Sequence, residues 1–367
     1  MTPNNFIGEK ILAKELIDGE VAALKELQPD VVIYGFWPMA GLAYRMIERK
    51  ILGISYLPLP LTTEKFLDLI ADIPEHVPIV SHLPLRLRRA LLRYTPRFVR
   101  KRIPPLRQPN ILWAASKAGW KGKLINLFDL LKADLTIVND IPDYYEHVQF
   151  PPTIAFSGAL FSQPIEGESL EDGIKNVFYP GNRRTKIFCT LGSSGTRDLL
   201  LEIVKVFTEG EGLSWDAVIL SPISVCPIDE AKEVLGNRPG IYITDSFVPA
   251  LQANALADLV ICHGGQGTIQ TAISCGTPLV GVAAQSEQFV NLSNVESQGA
   301  AIRIPMKKWQ AKNIRAAVSK MIADDQFKKA ADRLRRRLIS MDGQKISAEL
   351  IWGRISAEFP PSTRDAG

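Results

Sequence analysis

The stretch ICHGGQGTIQTAISCGTPLVGVAAQSEQFVN, from Ile261 to Asn291, holds the residues of this chain best suited to chemistry. His263 ends an apolar run, and Gly264, Gly265 and Gly267 follow it. Glycines without Cβ atoms let a backbone approach a ligand closely, and an imidazole nitrogen can donate to a phosphate oxygen. Thr268 is expected to cap the helix that begins there. An earlier loop, LGSSGT from Leu191 to Thr196, has the same form. There Ser193, Ser194 and Gly195 offer hydroxyls and backbone N–H groups at a helix start, a place that favours an anion. Two such loops on neighbouring strands would suit a diphosphate. Glu287 and Gln288 open the next helical stretch, SEQFVN. A carboxylate beside a carboxamide can accept from and donate to the hydroxyls of a sugar. No second His or Cys lies near His263 at ligand spacing, so no metal is expected. Cys189, Cys226, Cys262 and Cys275 lack any CxxC spacing and read as reduced, buried thiols.

The elements that must position these residues alternate between strand and helix in two blocks. In the first, VVIYGF (31–36) reads as a buried strand followed by a helix from about 40 to 49, and ADLTIVND (133–140) as a second strand. PPTIAFSGALFSQPIEGESLEDG, rich in Pro, Gly, Ser and acid, reads as a linker. In the second block KIFCTL (186–191), DAVIL (216–220), GIYIT (240–244), ADLVIC (257–262) and PLVGVA (278–283) read as strands at α/β spacing. That spacing predicts parallel sheets with right-handed crossovers, which bind ligands beyond the carboxyl ends of their strands. From 308 to 355 the apolar spacing is helical.

At 367 residues the chain suits two domains. No apolar run reaches the length of a bilayer crossing and no signal peptide pattern opens the chain, so a cytoplasmic protein is expected. The net charge of +4 conceals an asymmetry: no carboxylate occurs between Glu75 and Asp129, while arginine and lysine recur from Arg86 to Lys123. Within that span LPLRLRRALLRYTPRFVRKRI mixes apolar residues and arginine at helical intervals. Over 86–107 this pattern fits either a solvated basic face or contact with an anionic membrane surface. No nucleic-acid module frames it. A nicotinamide-dependent oxidoreductase would need a GxGxxG turn in its first βα unit, and VVIYGFWPMAG does not supply one.

The run from Asp245 to Ile304 resembles the donor-binding signature of the UDP-sugar glycosyltransferases of the GT-B fold, among them the plant secondary-metabolite, sterol and macrolide enzymes. The similarity covers the second block closely and the first block loosely. It implies two Rossmann-like α/β domains facing across a cleft. Phe247 of FVPA takes the place of the aromatic that stacks on the nucleobase, with Val248 offering backbone contact to it. His263 corresponds to the histidine that binds the diphosphate, and Gly265, Gly267 and Thr268 continue that contact. Glu287 and Gln288 correspond to the acid–glutamine pair that reads the sugar, and Ser193 to the serine of the first loop of the donor domain. FSGALF (156–161) is similar to the inter-domain segment, with Ala159 in place of proline.

The family's first domain opens with a strand and a glycine-rich loop carrying a base histidine, and MTPNNFIGEKILAKELIDGE does not match that start. Gly35 stands where relatives carry the aspartate that orients the base. The first domain is therefore expected to be incomplete, with an exposed sheet edge, and the catalytic residue is left unassigned, with His76, His82 and His147 as the other histidines. The resemblance implies an acceptor-side domain over 1–160, a linker over 161–185, a nucleotide-sugar domain over 186–345 and a C-terminal helix and tail over 346–367. It implies transfer of a hexose from a UDP-sugar to a hydroxyl of a lipophilic acceptor, with inversion and with no cofactor besides the donor. A nucleotide-sugar-binding subunit or inactive homologue is the alternative.

Overall fold

The computed structural model describes residues 6–69, 80, 83–102, 104–161 and 169–360. His76, His82 and Ile103 of the basic segment lie outside them. The chain forms two units, each an α/β layer structure built on a parallel sheet.

The first unit gathers the described residues of Met1–Asp72, Leu85–Leu160 and Met341–Gly367. Its strands β1 (Val31–Tyr34), β2 (Leu52–Leu57), β3 (Leu135–Val138) and β4 (Ile154–Phe156) pair in parallel in that order. On one face lie α1 (Lys10–Leu27) and α2 (Pro38–Met46). The basic segment folds as α3 (Leu85–Tyr94), α4 (Arg97–Arg100) and α5 (Pro104–Arg107), and α6 (Pro109–Lys117) and α7 (Leu127–Leu130) follow. Ala13 and Ile17 of α1, Met39 and Leu42 of α2, and Ile111 and Ala114 of α6 form one cluster with Leu130. β1 is an edge strand, and Ile33 on it is exposed. β4 corrects the linker reading of PPTIAFSG: Ile154, Ala155 and Phe156 pair with Thr136, Ile137 and Val138.

The second unit holds α8 (Asp172–Val177), within the segment 161–185, and then six strands. These are β5 (Lys186–Thr190), β6 (Asp216–Leu220), β7 (Ile241–Thr244), β8 (Leu259–Cys262), β9 (Leu279–Gly281) and β10 (Ala301–Arg303). The helices that join them are α9 (Arg197–Val206), α10 (Ile228–Leu235), α11 (Ala250–Leu256), α12 (Gln266–Ser274) and α13 (Ser286–Ser297). α14 (Ala311–Ala323) and α15 (Gln326–Ile339) complete the unit. Every strand pair is parallel. β8 and β9 are buried throughout, as a sheet covered on both faces requires. One covered face packs Ile187, Cys189, Ile219, Ile261 and Val280 against Leu200, Val204 and Val318.

The chain then returns to the first unit as α16 (Gly343–Glu358), whose Leu350, Ile351 and Ile355 pack on Leu52, Ile54, Leu135 and Ile137. The first sheet is thereby covered on both faces. Among the described residues no helix is long and apolar enough to cross a membrane.

Candidate functional site

The strand order β10-β9-β8-β5-β6-β7 fixes where the second unit can hold a ligand. From β5 the chain winds one way to β6 and β7, and β8 then starts the other direction from the far side of β5. Crossovers of one hand must therefore diverge on either side of β5 and β8, leaving a crevice above their carboxyl ends. The two loops singled out above are the ones that leave these two strands.

Their glycines have a shared neighbour. A Cβ built on Gly192 would stand 2.8 Å from His263 Cε1 and 3.0 Å from Nε2, and one on Gly265 would stand 2.5 Å from Nε2. The ring edge bearing Nε2 is thus seated between the two loops in space that only glycine leaves. Gly192 also lies at φ +54° and Gly264 at φ +83°, backbone that favours glycine. His263 is 7% exposed, and its Nδ1 is buried without a partner meeting hydrogen-bond geometry. Burial holds the imidazole pKa below its ordinary value, and the Thr190 backbone acts in the opposite sense.

The two helix starts differ. Thr196 caps α9, its side chain accepting from the Leu199 N–H. The N-cap of α12 is Gly265, with no side-chain cap, and this corrects the expectation for Thr268, which lies inside the first turn. Gly265 in extended backbone can turn the chain into the helix, and as the N-cap residue it offers no side chain to the first-turn N–H groups of Gly267 and Thr268. A Cβ on Gly267 would meet nothing within 4 Å. Ser193 is exposed and Ser194 half-buried in the Gly192–Ser194 turn.

On α13 the expected pair divides. Gln288 is buried, and its Oε1 accepts from the Ala284 and Gln285 N–H groups at 2.9 and 3.1 Å, closing a capping box at the start of its own helix. Glu287 accepts from the Asn291 side chain and from the Gln266 backbone, while burial raises its pKa. Asn291 also donates to the Gly264 carbonyl at 3.2 Å, so one carboxamide ties Glu287 to the His263 loop. Sequence reasoning missed Asn291 and Gly192. Asn291 lies one helical turn after Glu287, at the i,i+4 spacing where side chains meet.

Phe247 and Val248 follow β7, two strands from β5. Val248 is buried, whereas Phe247 is 78% exposed. In the first unit Gly35 and His147 are exposed. A Cβ on Gly35 would meet only the Tyr56 carbonyl at 3.8 Å, so packing does not forbid a longer side chain there. The four cysteines are free, and burial pushes the Cys262 thiol up to about 12. Among the described residues no His, Cys, Asp and Glu cluster could hold a metal ion.

The family described as erythromycin biosynthesis protein CIII-like, C-terminal domain, matches residues 222–350. The PGL/p-HBAD biosynthesis rhamnosyltransferase of Mycobacterium bovis (strain BCG / Pasteur 1173P2) is 24% identical over 343 residues, covering 91% of this chain and 69% of that protein. The crystal structure of the glycotransferase of kitacinnamycin aligns with a TM-score of 0.65 at 22% identity, over 93% of this chain and 80% of the other. Glycosyltransferase VinC in complex with dTDP aligns at 0.62 and 17% identity, over 94% and 76%. Two parallel-sheet α/β units that align with these solved glycosyltransferases show the GT-B fold, and along nine-tenths of its sequence the chain is similar to a protein named as a rhamnosyltransferase.

Proposed function

We propose that the chain moves a hexose from UDP to a hydroxyl of a lipophilic acceptor, with inversion at the anomeric carbon. The observation that carries this reading is the His263 ring held edge-on between Gly192 and Gly265, beside the start of α12, whose N-cap residue is a glycine. A diphosphate seated there meets two backbone N–H groups and an imidazole, and helix dipole and ring both oppose the charge that grows as the glycosidic bond breaks. No metal is needed for that neutralisation. Ser193 and Ser194 face the same anion from the β5 side, and Phe247 stacks its exposed ring on the base while Val248 contacts it through the backbone. Glu287, braced by Asn291, reads the hexose hydroxyls, and Gln288 serves by fixing the turn that presents Glu287. The acceptor hydroxyl attacks from the face opposite UDP.

Calorimetric titration with UDP, dTDP and UDP-glucose tests the donor site, and dTDP belongs in the set because VinC is a dTDP complex. Absence of measurable affinity for all three ends the proposal, and tighter binding of dTDP reassigns the base. A second reading, donor binding with little transfer, is favoured by Gly35, which brings no carboxylate to the position where the resemblance expects an aspartate. A positioned base contributes about 10²–10⁴-fold. Assay against sterol, phenolic and glycolipid acceptors separates the two readings: rapid turnover removes the second and directs attention to His147.

A further inference from the structure

We infer that the outward face of α3 and α4 docks on an anionic lipid bilayer. This goes beyond the donor site and does not depend on it. An α-helix turns about 100° per residue, so Leu87, Leu91 and Tyr94 share a stripe about 60° wide on α3, with Arg86 and Arg93 about 80–100° to one side of Tyr94. A helix of a soluble domain ordinarily turns such an apolar stripe to the core. Here the reverse holds: Leu87 is 55% exposed and Tyr94 78%, Leu91 is exposed, and Arg88 on the same helix is buried. α4 continues the pattern, with Phe98 60% exposed, Val99 exposed and Arg97 beside them.

The cations of this segment divide by role. Arg97 pairs with Asp68, Lys101 with Glu64 at 2.6 Å, and Arg100 donates to the Leu67 carbonyl at 3.3 Å. These bonds hold α4 on the turn Glu64–Asp68 and fix the direction in which Phe98 and Val99 project. Arg86 and Arg93 are exposed and have no carboxylate partner among the described residues. None is available nearby in sequence, since no Asp or Glu occurs between Glu75 and Asp129. The occupant must therefore satisfy exposed leucine, tyrosine and phenylalanine together with unpaired arginine. A second copy related by a twofold axis would bring the same arginines face to face. A nucleic acid would leave the leucines in water. The headgroup and acyl boundary of an anionic bilayer takes both, the apolar stripe sinking inward while guanidinium groups reach the headgroups.

The test is flotation of the full chain with vesicles of phosphatidylcholine containing 30% phosphatidylglycerol, against phosphatidylcholine alone, at low and high salt. Binding is expected to the anionic vesicles only, and to weaken as salt screens the surface. Each basic residue near such a surface strengthens binding by about five-fold, so Arg86→Gln with Arg93→Gln should weaken it by about 25-fold. Leu87→Gln with Leu91→Gln should weaken it while leaving the anionic charge dependence in place. Circular dichroism melts confirm that both variants fold. Failure of the unmodified chain to float at low salt overturns the inference, as does equal flotation with neutral vesicles. So does retention of a polyuridine oligomer without vesicle binding, or a dimer in sedimentation velocity that Leu91→Glu dissociates. None of these outcomes bears on UDP affinity, which is measured separately.

Discussion

Alanine substituted singly at three glycines of the His263 loop separates what the backbone requires from what a ligand requires. At Gly264 the backbone lies at φ +83°, and a Cβ would stand 2.6 Å from Leu292 and 3.0 Å from the Gln288 carbonyl. Left-handed backbone costs a non-glycine residue about 1–2 kcal/mol, and overpacking adds about 1–3 kcal/mol. Gly264→Ala should therefore lose about 2–5 kcal/mol of stability, whatever the loop binds. At Gly265 the backbone is ordinary, with φ −61°, but a Cβ would fall 2.5 Å from His263 Nε2, so the ring has to move. Donor affinity should drop by about 1–3 kcal/mol, the cost of a misplaced hydrogen bond to a charged group.

Gly267 is the informative position. A Cβ there meets nothing within 4 Å, and in the first turn of α12 alanine should add up to about 1 kcal/mol of helix stability. A phosphate lying over that turn would need the same space as the new methyl group. Gly267→Ala is thus expected to be as stable as the unmodified chain or more so, and to bind UDP about tenfold more weakly, a loss of about 1.4 kcal/mol. Urea denaturation and calorimetric titration with UDP measure the two quantities on the same preparations. Unchanged UDP affinity in Gly267→Ala would refute the placement of the diphosphate over α12. A loss of stability as large as that of Gly264→Ala would show instead that the open space at Gly267 had been misjudged.

Four further outcomes are expected. His263→Ala should weaken UDP binding by about 1–3 kcal/mol with the domain still folded, and calorimetry that finds no change removes the ring from the site. Burial lowers the His263 pKa below its unfolded value near 6.5, so its contribution to stability is present above about pH 6.5 and is lost as pH falls through the folded value. Urea midpoints should therefore fall less between pH 7.5 and 5.5 in His263→Gln than in the unmodified chain, and an equal fall contradicts the assignment. Gln288→Ala, which strands the Ala284 and Gln285 N–H groups, should lose about 1–3 kcal/mol of stability. Glu287→Gln should keep its stability and lose more affinity for UDP-glucose than for UDP, and equal losses for both ligands would detach Glu287 from the sugar.

What the sequence made legible here is what backbone geometry demands. β5, β6, β7, β8 and β9 announced themselves as apolar runs because a parallel sheet buries both faces, and the loop glycines marked the places where the backbone must turn or a ring must fit. β4 and β10, three residues each, exist because a neighbour pairs with them, and no local pattern reports that. Ile154–Phe156 sits among Pro, Gly and Ser, whose composition outweighed three apolar residues. Gln288 was illegible for another reason: glutamine at the third position of a helix can turn outward to a ligand or back to its own cap, and composition does not distinguish the two. Thr268 was placed one turn early because threonine is a strong cap, whereas Gly265 already occupied that position.

The same distinction bears on why similarity persists in relatives that share about a quarter of their residues with this chain. A diphosphate is held mainly by N–H groups at helix starts, and these need only a strand, a glycine turn and a helix in the right order. Side chains elsewhere in the unit can vary so long as the sheet order and the turns persist, and the family match spans 222–350, where β7, β8 and α12 lie. An acceptor is recognised by shape and by individual side chains, for which no comparable backbone rule exists. On the proposed reading, the donor is open to argument from the geometry of β5, β8 and the two loops that leave them, whereas acceptor choice rests on side chains that no backbone pattern announces.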